Sequence, residues 1–311
     1  MQPPRILFAL ACAAACGPSG RSGVDANPGQ DGTTVDAGVC EDVIDVVFVL
    51  DTSSSMGFVL TQLEEQIAGV VAASNSVAAD AHFGLIVFQD NHFIDNTGPL
   101  DAGKVHTSAA SLQTAFRHYR TTFTNADRNP GDGPTGPTTQ NPICEENSLD
   151  ALYAATADFP WRANATRVVI LATDDTFLER PDNYGDRDND GLTNKTDFPR
   201  EGNYPAARTL TETVTKLRDN RIRVFSFSRI TQPGLFERCG TGRRLPWTDI
   251  TDGWTTPYGN QPPIPVQTDG ENFDLDHVKN GSLSLSATIN EVVLESYCSP
   301  PIPVIRTAAP A

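Results

Sequence analysis

Residues 45–57 read Asp45-Val-Val-Phe-Val-Leu-Asp51-Thr-Ser53-Ser-Ser55-Met-Gly57 and join an apolar run to a polar turn. The apolar run begins at Val43 and predicts a strand that is buried on both faces, at the centre of a parallel sheet. Ligands of open α/β sheets bind just beyond the carboxyl ends of the strands, which is where Asp51, Ser53 and Ser55 stand. Carboxylate and hydroxyl oxygens on one tight turn suit hard divalent cations such as Mg²⁺ or Mn²⁺.

The turn Asp51-Thr-Ser53-Ser-Ser55 resembles the D-x-S-x-S motif of the von Willebrand factor type A (VWA) family. In that family the motif follows the first strand and opens a metal-ion-dependent adhesion site. The resemblance covers roughly residues 41–298 and implies a doubly wound α/β fold. A serine-rich turn after a strand can also simply cap the next helix, so the family assignment depends on matching ligands elsewhere in the chain.

Two further loops supply those ligands when the sequence is matched to the family. Residues 168–174 read Val-Val-Ile-Leu-Ala-Thr-Asp and resemble the family's strand that ends in T-D-G. This resemblance implies that Asp174 is a ligand. Asp175 stands where the family has the glycine. The second loop of the family usually carries a threonine, and Glu146 stands at that position in a stretch similar to integrin β-type domains. Glu145 is the competing choice, and both glutamates could instead only favour the start of a helix through its dipole. The resemblance implies a metal site made of Asp51, Ser53, Ser55, Glu146 and Asp174.

Strand-like and helix-like segments alternate along the chain, which predicts βαβ units and a mainly parallel sheet covered on both faces by helices. The expected fold class is α/β and doubly wound, with one antiparallel edge strand. The expected strands cover residues 43–50, 82–88, 91–97 (the edge strand), 168–172, 223–228 and 271–275. The expected helices cover residues 58–74, 108–119, 148–157, 205–220 and 283–296.

Residues 186–197 read Asp-Arg-Asp-Asn-Asp-Gly-Leu-Thr-Asn-Lys-Thr-Asp and predict a calcium-binding loop within an insertion at residues 176–203. Oxygen ligands recur at alternate positions and a glycine makes the central turn, which lets a short loop wrap one Ca²⁺ ion. The loop is similar to those of EF-hands, thrombospondin type 3 repeats and dockerins. The alternative is a solvated acidic loop. The expected ligands are Asp186, Asp188, Asp190, Leu192 (through its carbonyl), Asn194 and Asp197.

The two ends of the chain predict export and a tether. Residues 1–16 have the pattern of a secretory signal that resembles those of bacterial lipoproteins, which implies a lipid anchor on Cys16; ordinary signal-peptidase cleavage is the alternative. Residues 17–39 predict a flexible linker, and residues 300–311 predict a disordered tail. The domain is expected at residues 40–299. We expect an outer-membrane or cell-surface lipoprotein, or otherwise a periplasmic or secreted protein.

The cysteines also suit an oxidising compartment. The sequence has six, two of which lie in the leader. The other cysteines allow two disulfides in any of three pairings. A Cys40–Cys298 pair is favoured because the ends of a domain often lie close together. That choice leaves Cys144 and Cys239 for the second disulfide.

The formal net charge of −16 argues against nucleic acid as a partner. By resemblance, the expected function is cation-dependent protein binding in adhesion or assembly. A carboxylate of the partner is expected to complete the metal site. Contact with a membrane is expected only through the lipid anchor. No catalysis is expected.

Other functional interpretations of the sequence remain open. The first is a scaffold whose metal is purely structural. The second is a haloacid-dehalogenase-like phosphatase that uses Asp51, although Ser53 stands where that chemistry needs a second carboxylate. A serine hydrolase is less favoured, because the chain lacks a G-x-S-x-G motif and none of its histidines stands in a sequence context that is typical of a catalytic triad. Trp247, Trp254 and Tyr258 could either anchor a partner or hold their own loop onto the domain.

Overall fold

The computed structural model describes residues 43–78, 80–138, 145–180, 206–230, 234–239 and 243–297, all within the unit Ala37–Ala311. The strands are β1 (Val43–Asp51), β2 (His82–Phe88), β3 (His92–Ile94), β4 (Ala165–Ala172), β5 (Ile222–Ser228), β6 (Phe236–Cys239), β7 (Arg243–Pro246) and β8 (Asn272–Asp274). The helices are α1 (Gly57–Val77), α2 (Ala109–Thr122), α3 (Ser148–Ala157), α4 (Leu210–Asp219), α5 (Trp247–Ile250), α6 (Ile264–Gln267), α7 (Leu275–Lys279) and α8 (Leu285–Tyr297). Within these ranges no helix combines the length and the apolar character needed to cross a bilayer.

Six of the strands form one sheet in the order β3-β2-β1-β4-β5-β8. Neighbours pair in parallel, except that β3 runs antiparallel to β2. The chain moves outward from β1 to β2 and then returns to the other side of β1 with β4, so the strand order switches direction at β1. The expected fold class is confirmed: the structure is α/β, with a mainly parallel sheet flanked by helices and one antiparallel edge strand.

The apolar run of β1 contributes to both hydrophobic cores, because neighbouring side chains of a strand point to opposite faces of the sheet. Val46 and Phe48 belong to the cluster formed with α1, α2 and α8, whereas Val47 and Val49 belong to the cluster formed with α3 and α4. All four side chains are fully buried. A strand with a core on each face is apolar at most positions, which explains the run Val46–Leu50 in the sequence.

Two expectations about secondary structure differ from the structure. Helix α4 begins at Leu210 and not at residue 205, because Thr209 caps it: the Thr209 hydroxyl accepts the N–H of Glu212 at 3.1 Å, and the Glu212 carboxylate accepts the N–H of Thr209 at 2.9 Å. The region 229–269, expected to be one long loop, contains the hairpin β6–β7 and the short helices α5 and α6. The other expected elements are present, with ends that differ by a few residues.

Several of the sequence predictions fall on residues that are not described. The signal, the linker and the C-terminal tail lie outside the described residues, as does the calcium loop at residues 186–197. The same is true of Cys16, Cys40, Cys144 and Cys298, so the proposed disulfides and lipid anchor stay predictions. Cys239 ends β6, but its side chain is not described.

Asp45 interrupts the apolar run and is completely buried near the amino end of β1. Its Oδ2 accepts the backbone N–H of Arg162 at 2.8 Å, and its Oδ1 accepts Nε–H of the same residue at 2.7 Å. The guanidinium also donates to the carbonyl of Ile44 at 2.8 Å. The charge of Asp45 is therefore both paired and hydrogen-bonded, as burial of a carboxylate requires.

A polar network centred on buried Asp95 and His106 joins the edge of the sheet to α2. The Asp95 carboxylate accepts the hydroxyls of Thr97 and Tyr119, at 2.8 and 2.9 Å, and lies 2.8 Å from Nε2 of His106. Nδ1 of His106 is 2.6 Å from the hydroxyl of Ser111. Aspartate, histidine and serine in line also occur in hydrolytic triads, but here the imidazole has no exposed surface and Asp95 already holds three partners. The network is therefore structural.

The Asp95 network predicts acid sensitivity. Burial raises the pKa of Asp95, but hydrogen bonds from His106, Thr97 and Tyr119 outweigh burial, so the pKa is lowered overall. Such a group stabilises the fold above its unfolded pKa of about 3.9, and this stabilisation is lost as the pH falls through the folded pKa. Asp95→Asn should therefore lose roughly 1–3 kcal/mol of unfolding free energy at pH 7, and its difference from wild type should narrow near pH 3.

Urea denaturation at the two pH values measures this difference. Asp219→Asn, which changes an exposed carboxylate of α4, is the control and should match wild type at pH 7. A difference between Asp95→Asn and wild type that stays constant with pH would contradict the account.

Candidate functional site

Asp51 is the last residue of β1 and begins the polar turn. Its Oδ1 accepts the N–H of Ser53 at 2.7 Å, and its Oδ2 accepts the hydroxyl of Thr173 at 2.9 Å. Thr52 donates both its N–H and its hydroxyl to the carbonyl of Phe88, at 2.8 and 3.0 Å. These bonds tie together the ends of β1, β2 and β4, and they hold the Asp51 carboxylate in one orientation.

The serines of the turn connect it to Asp174, which lies just beyond β4. Ser53 Oγ is 3.0 Å from Ser55 Oγ, and the Ser55 hydroxyl donates to Asp174 Oδ1 at 3.0 Å. Ser55 and Asp174 are 119 positions apart in the chain. They meet because β1 and β4 are neighbouring parallel strands whose carboxyl ends share one edge of the sheet. This edge lies where the strand order switches, the usual ligand position in such sheets.

The turn does not use its serines as helix caps. Ser53 is in the capping position of the short 3₁₀ helix Ser54–Met56, yet its side chain makes no capping hydrogen bond. Met56 precedes α1 and has no side-chain cap either. A capping serine would direct its hydroxyl oxygen at the first N–H groups of the helix. Here the hydroxyls of Ser53 and Ser55 contact each other, and that of Ser55 also contacts Asp174.

Glu146 reaches the same edge from the loop that precedes α3. Its N–H donates to the carbonyl of Thr176 at 3.0 Å, and its carbonyl accepts the N–H of Leu178 at 3.1 Å. The side chain is 7% exposed, and its Oε2 has no hydrogen-bond partner among the described residues. A buried carboxylate oxygen without a donor is costly unless a cation is at hand. Glu145 is buried as well, so burial alone does not separate the two glutamates.

Burial and the charges of neighbouring carboxylates shift the pKa of two acids at this edge. Burial, and then the negative charge of Asp174, raise the pKa of Asp51 from 3.8 to about 7, although hydrogen bonds act in the opposite direction. Burial also raises the pKa of Glu146 well above its usual value, and the charge of Asp51 is the next cause. Near neutral pH such groups are stabilised either by holding protons or by binding a cation.

The donor set fits a small divalent cation. Neighbouring ligands of an octahedral Mg²⁺ with bonds of about 2.0–2.1 Å are about 2.9 Å apart. The Ser53–Ser55 and Ser55–Asp174 oxygen pairs are each 3.0 Å apart. Across the described ranges, no three His, Cys, Asp or Glu side chains converge into a metal-holding group. The oxygens that could hold a cation are therefore mixed: the carboxylates of Asp51 and Asp174, the two serine hydroxyls, and the carboxylate of Glu146, on which the charges of both aspartates act.

A cationic side chain also reaches this edge. Arg229 directly follows β5, and its Nη2 lies 3.3 Å from Asp174 Oδ2. The two side chains are 12% and 6% exposed, respectively. Strand β5 is next to β4 in the sheet, so the residues that follow these two strands lie side by side. The site is therefore bordered by a fixed positive charge.

The region between β5 and β8 packs against the loop that carries Asp174. Trp254 is 1% exposed, its indole N–H donates to the carbonyl of Asp175 at 3.0 Å, and its ring lies edge-on to Phe177 at 5.7 Å. Gly253 has a φ of +80°, and a Cβ there would overlap the Phe177 ring, so this contact requires glycine. Tyr258 also contacts Phe177, at 4.8 Å. Trp254 thus holds its own loop onto the domain and is not exposed for a partner.

Sequence reasoning missed Thr173 and Arg229. Thr173 belongs to the matched T-D pair, and its position next to a ligand could have identified it as the donor to Asp51. Arg229 stands directly after a predicted parallel strand, where side chains of adjacent strands meet. That position was a usable signal. The burial of Trp254 had no comparable signal, because it depends on its packing against Phe177. The side chain of Trp247 is not among those described.

No protein-family model matches this sequence, and neither does any curated protein sequence. The solved structures that are similar include proximal thread matrix protein 1 of the mussel byssus, with 13% identity and a TM-score of 0.43 over 85% of this chain and 49% of that chain. An aerotolerance-related membrane protein of Bacteroides fragilis, with multiple mutations to serines, has 14% identity and a TM-score of 0.41 over 82% and 98% of the two chains.

The conserved hypothetical protein BatB of Bacteroides thetaiotaomicron has 13% identity and a TM-score of 0.40 over 80% and 99% of the two chains. This chain spans about half the length of the mussel protein. Likenesses as low as these carry no information about function.

Replacing Thr173 with valine keeps the shape of the side chain but removes the hydroxyl that donates to Asp51. In the presence of a chelator, the variant should lose roughly 1–3 kcal/mol of unfolding free energy, because a buried Asp51 oxygen loses its donor. Thr114→Val is the matched control, since Thr114 is exposed and its hydroxyl only bonds the carbonyl of Ala110 in α2. Urea denaturation measures both variants, and equal losses would contradict the role given to Thr173.

Proposed function

We propose that this chain carries a VWA-type cation site and uses a bound divalent cation, Mg²⁺ or Mn²⁺, to bind a protein ligand without catalysis. The observation that carries the proposal is the meeting of Ser53, Ser55 and Asp174, with successive oxygens 3.0 Å apart. Oxygens from two distant loops meet at this edge, where the pKa values of buried Asp51 and Glu146 are raised, and they are not used as helix caps. This arrangement supports cation binding more than it supports a purely structural turn.

Each residue has a distinct role in this proposal. Asp51 and Asp174 supply negative charge, Ser53 and Ser55 supply neutral oxygens, and Glu146 adds a carboxylate from the loop before α3. Hydrogen bonds hold the oxygens of Asp51, Ser53, Ser55 and Asp174 in place beforehand, which lowers the entropic cost of binding. A bound cation would supply a Lewis-acidic coordination position for a carboxylate of the protein partner.

The same residues suit the phosphatase alternative poorly. Ser53 stands two positions after Asp51, where that chemistry needs a carboxylate as general acid and base, and a serine cannot fill that role at neutral pH. Asp51 is 1% exposed, and both of its oxygens accept hydrogen bonds. A nucleophile would instead need an oxygen directed at the substrate. The scaffold alternative uses the same ligands, so it differs from adhesion only in lacking an open coordination position.

The other parts of the proposal rest on the sequence alone. A Ca²⁺ ion bound by residues 186–197 would hold the segment that follows Asp174. Lipidation of Cys16 would attach the exported domain to a membrane. Repulsion between a net charge of −16 and phosphates supports a protein partner over nucleic acid.

Calorimetric titration of the full chain with Mg²⁺ tests the proposal. Wild type should show a saturable binding event that Asp51→Ala abolishes, because the variant lacks one of the three carboxylates that are proposed to support the cation. Asp219→Ala removes an exposed carboxylate of α4 and should bind like wild type. In a Ca²⁺ titration, Asp188→Ala should remove a separate event. A Mg²⁺ titration that is unchanged in Asp51→Ala would contradict the proposal.

Measurements on the Mn²⁺-loaded protein, together with a phosphatase assay, distinguish adhesion from the scaffold and phosphatase alternatives. Water-proton relaxation of the Mn²⁺-loaded protein should reveal exchangeable water at the site, and added acetate should displace it. Relaxation without exchangeable water would favour the scaffold with a structural metal. Hydrolysis of p-nitrophenyl phosphate that is lost in Asp51→Ala would favour the phosphatase.

A further inference from the structure

We propose that Arg229 is an internal counter-ion of the cation site: its guanidinium pairs with Asp174 and opposes the binding of a divalent cation at the same carboxylate. The inference rests on the proposed function and deepens it. It names a residue that sets how strongly the site holds its cation.

The two carboxylate oxygens of Asp174 contact different side chains. Oδ1 accepts the hydroxyl of Ser55 at 3.0 Å, on the side of the polar turn. Oδ2 lies 3.3 Å from Nη2 of Arg229, on the side of β5. Because the side chains of Arg229 and Asp174 are only 12% and 6% exposed, water screens the attraction between them weakly. The ion pair therefore acts directly on the carboxylate that is expected to support a cation.

The region after β5 fixes Arg229 beside the site. The Arg229 carbonyl accepts the hydroxyl of Thr255 at 3.2 Å. The neighbouring residue, Trp254, donates its indole N–H to the carbonyl of Asp175 at 3.0 Å. One short segment thus ties the residue after β5 to the loop after β4. The backbone at Arg229 is therefore held close to the loop that carries Asp174.

Charge balance explains why an arginine is placed here. Without a cation, the buried carboxylates of Asp51 and Asp174 repel each other, and a guanidinium offsets part of that repulsion. A divalent cation offsets it with two charges, so Arg229 and the cation compete for the same carboxylate. A single positive charge within about 5 Å of a divalent cation weakens its binding on the order of tenfold even when water screens the two charges.

A positioning role would have the opposite effect on cation affinity. If Arg229 only oriented Asp174 for the cation, its removal would let the carboxylate rotate and would weaken cation binding. If Arg229 is a counter-ion, its removal strengthens cation binding. The direction of the change in affinity therefore distinguishes the two roles.

Calorimetric titration of the full chain with Mg²⁺ measures this direction in four proteins. Arg229→Gln should bind Mg²⁺ on the order of tenfold more tightly than wild type, whereas Arg229→Lys keeps the charge and should stay close to wild type. Arg117→Gln controls for the loss of one positive charge from the protein as a whole. Arg117 lies on α2, is 62% exposed and pairs with Glu64.

Thermal unfolding in a chelator provides a second readout that does not depend on a loaded site. Arg229→Gln should melt at a lower temperature than wild type, because Asp51 and Asp174 then lack their counter-ion. Saturating Mg²⁺ should remove this difference, and Arg117→Gln should not show the same pattern. Equal melting of wild type and Arg229→Gln in the chelator would overturn the inference.

The outcomes separate this inference from the proposed function. If neither wild type nor Arg229→Gln binds Mg²⁺ in a way that depends on Asp51, the proposed function is wrong. The inference depends on that function and is then overturned as well. If wild type binds Mg²⁺ and Arg229→Gln binds it equally or more weakly, only the inference is overturned. Tighter binding by Arg229→Gln but not by Arg117→Gln supports it.

Discussion

The burial of Asp51 beside Asp174 is the constraint on which the candidate site depends. Asp51 ends a strand with a hydrophobic core on each face and is 1% exposed, so water cannot solvate its charge. Burial, and then the charge of Asp174, raise its pKa to about 7. The donors at hand are the N–H of Ser53 and the hydroxyl of Thr173, which are both neutral. Near neutral pH, either a bound proton or a bound cation can offset this uncompensated charge.

The two buried aspartates of β1 show how the same residue type serves two purposes. Asp45, near the amino end, has an arginine bound directly to its carboxylate through Arg162. Asp51, at the carboxyl end, accepts only neutral donors, and the nearby Arg229 pairs with Asp174 instead. The end of the strand with a complete ion pair stabilises the fold. The end with an incomplete charge balance lies where the strand order switches, which is the usual ligand position in such sheets.

The fold and part of the site could be predicted from the sequence because both depend on local patterns. Asp51 and Asp174 follow apolar runs that predict parallel strands, and parallel strands place their carboxyl ends on one edge of the sheet. The pairing of Arg229 with Asp174 was missed, although the position of Arg229 directly after a predicted parallel strand was a usable signal; its geometry also depends on how the region after β5 packs against the loop after β4. The burial of Trp254 depends in the same way on Phe177. The start of α4 was missed because the strong capping box at Thr209 outweighs a proline upstream.

Paramagnetic broadening of amide signals by substoichiometric Mn²⁺ tests the central claim most directly, because it reports where the cation binds. The account predicts that the signals of Ser53, Ser55 and Asp174 broaden first. The signal of Asp45 should persist, since six residues of extended strand place it about 20 Å away. Broadening confined to residues 186–197, or equally strong at Asp45, would contradict a cation site at this edge of the sheet.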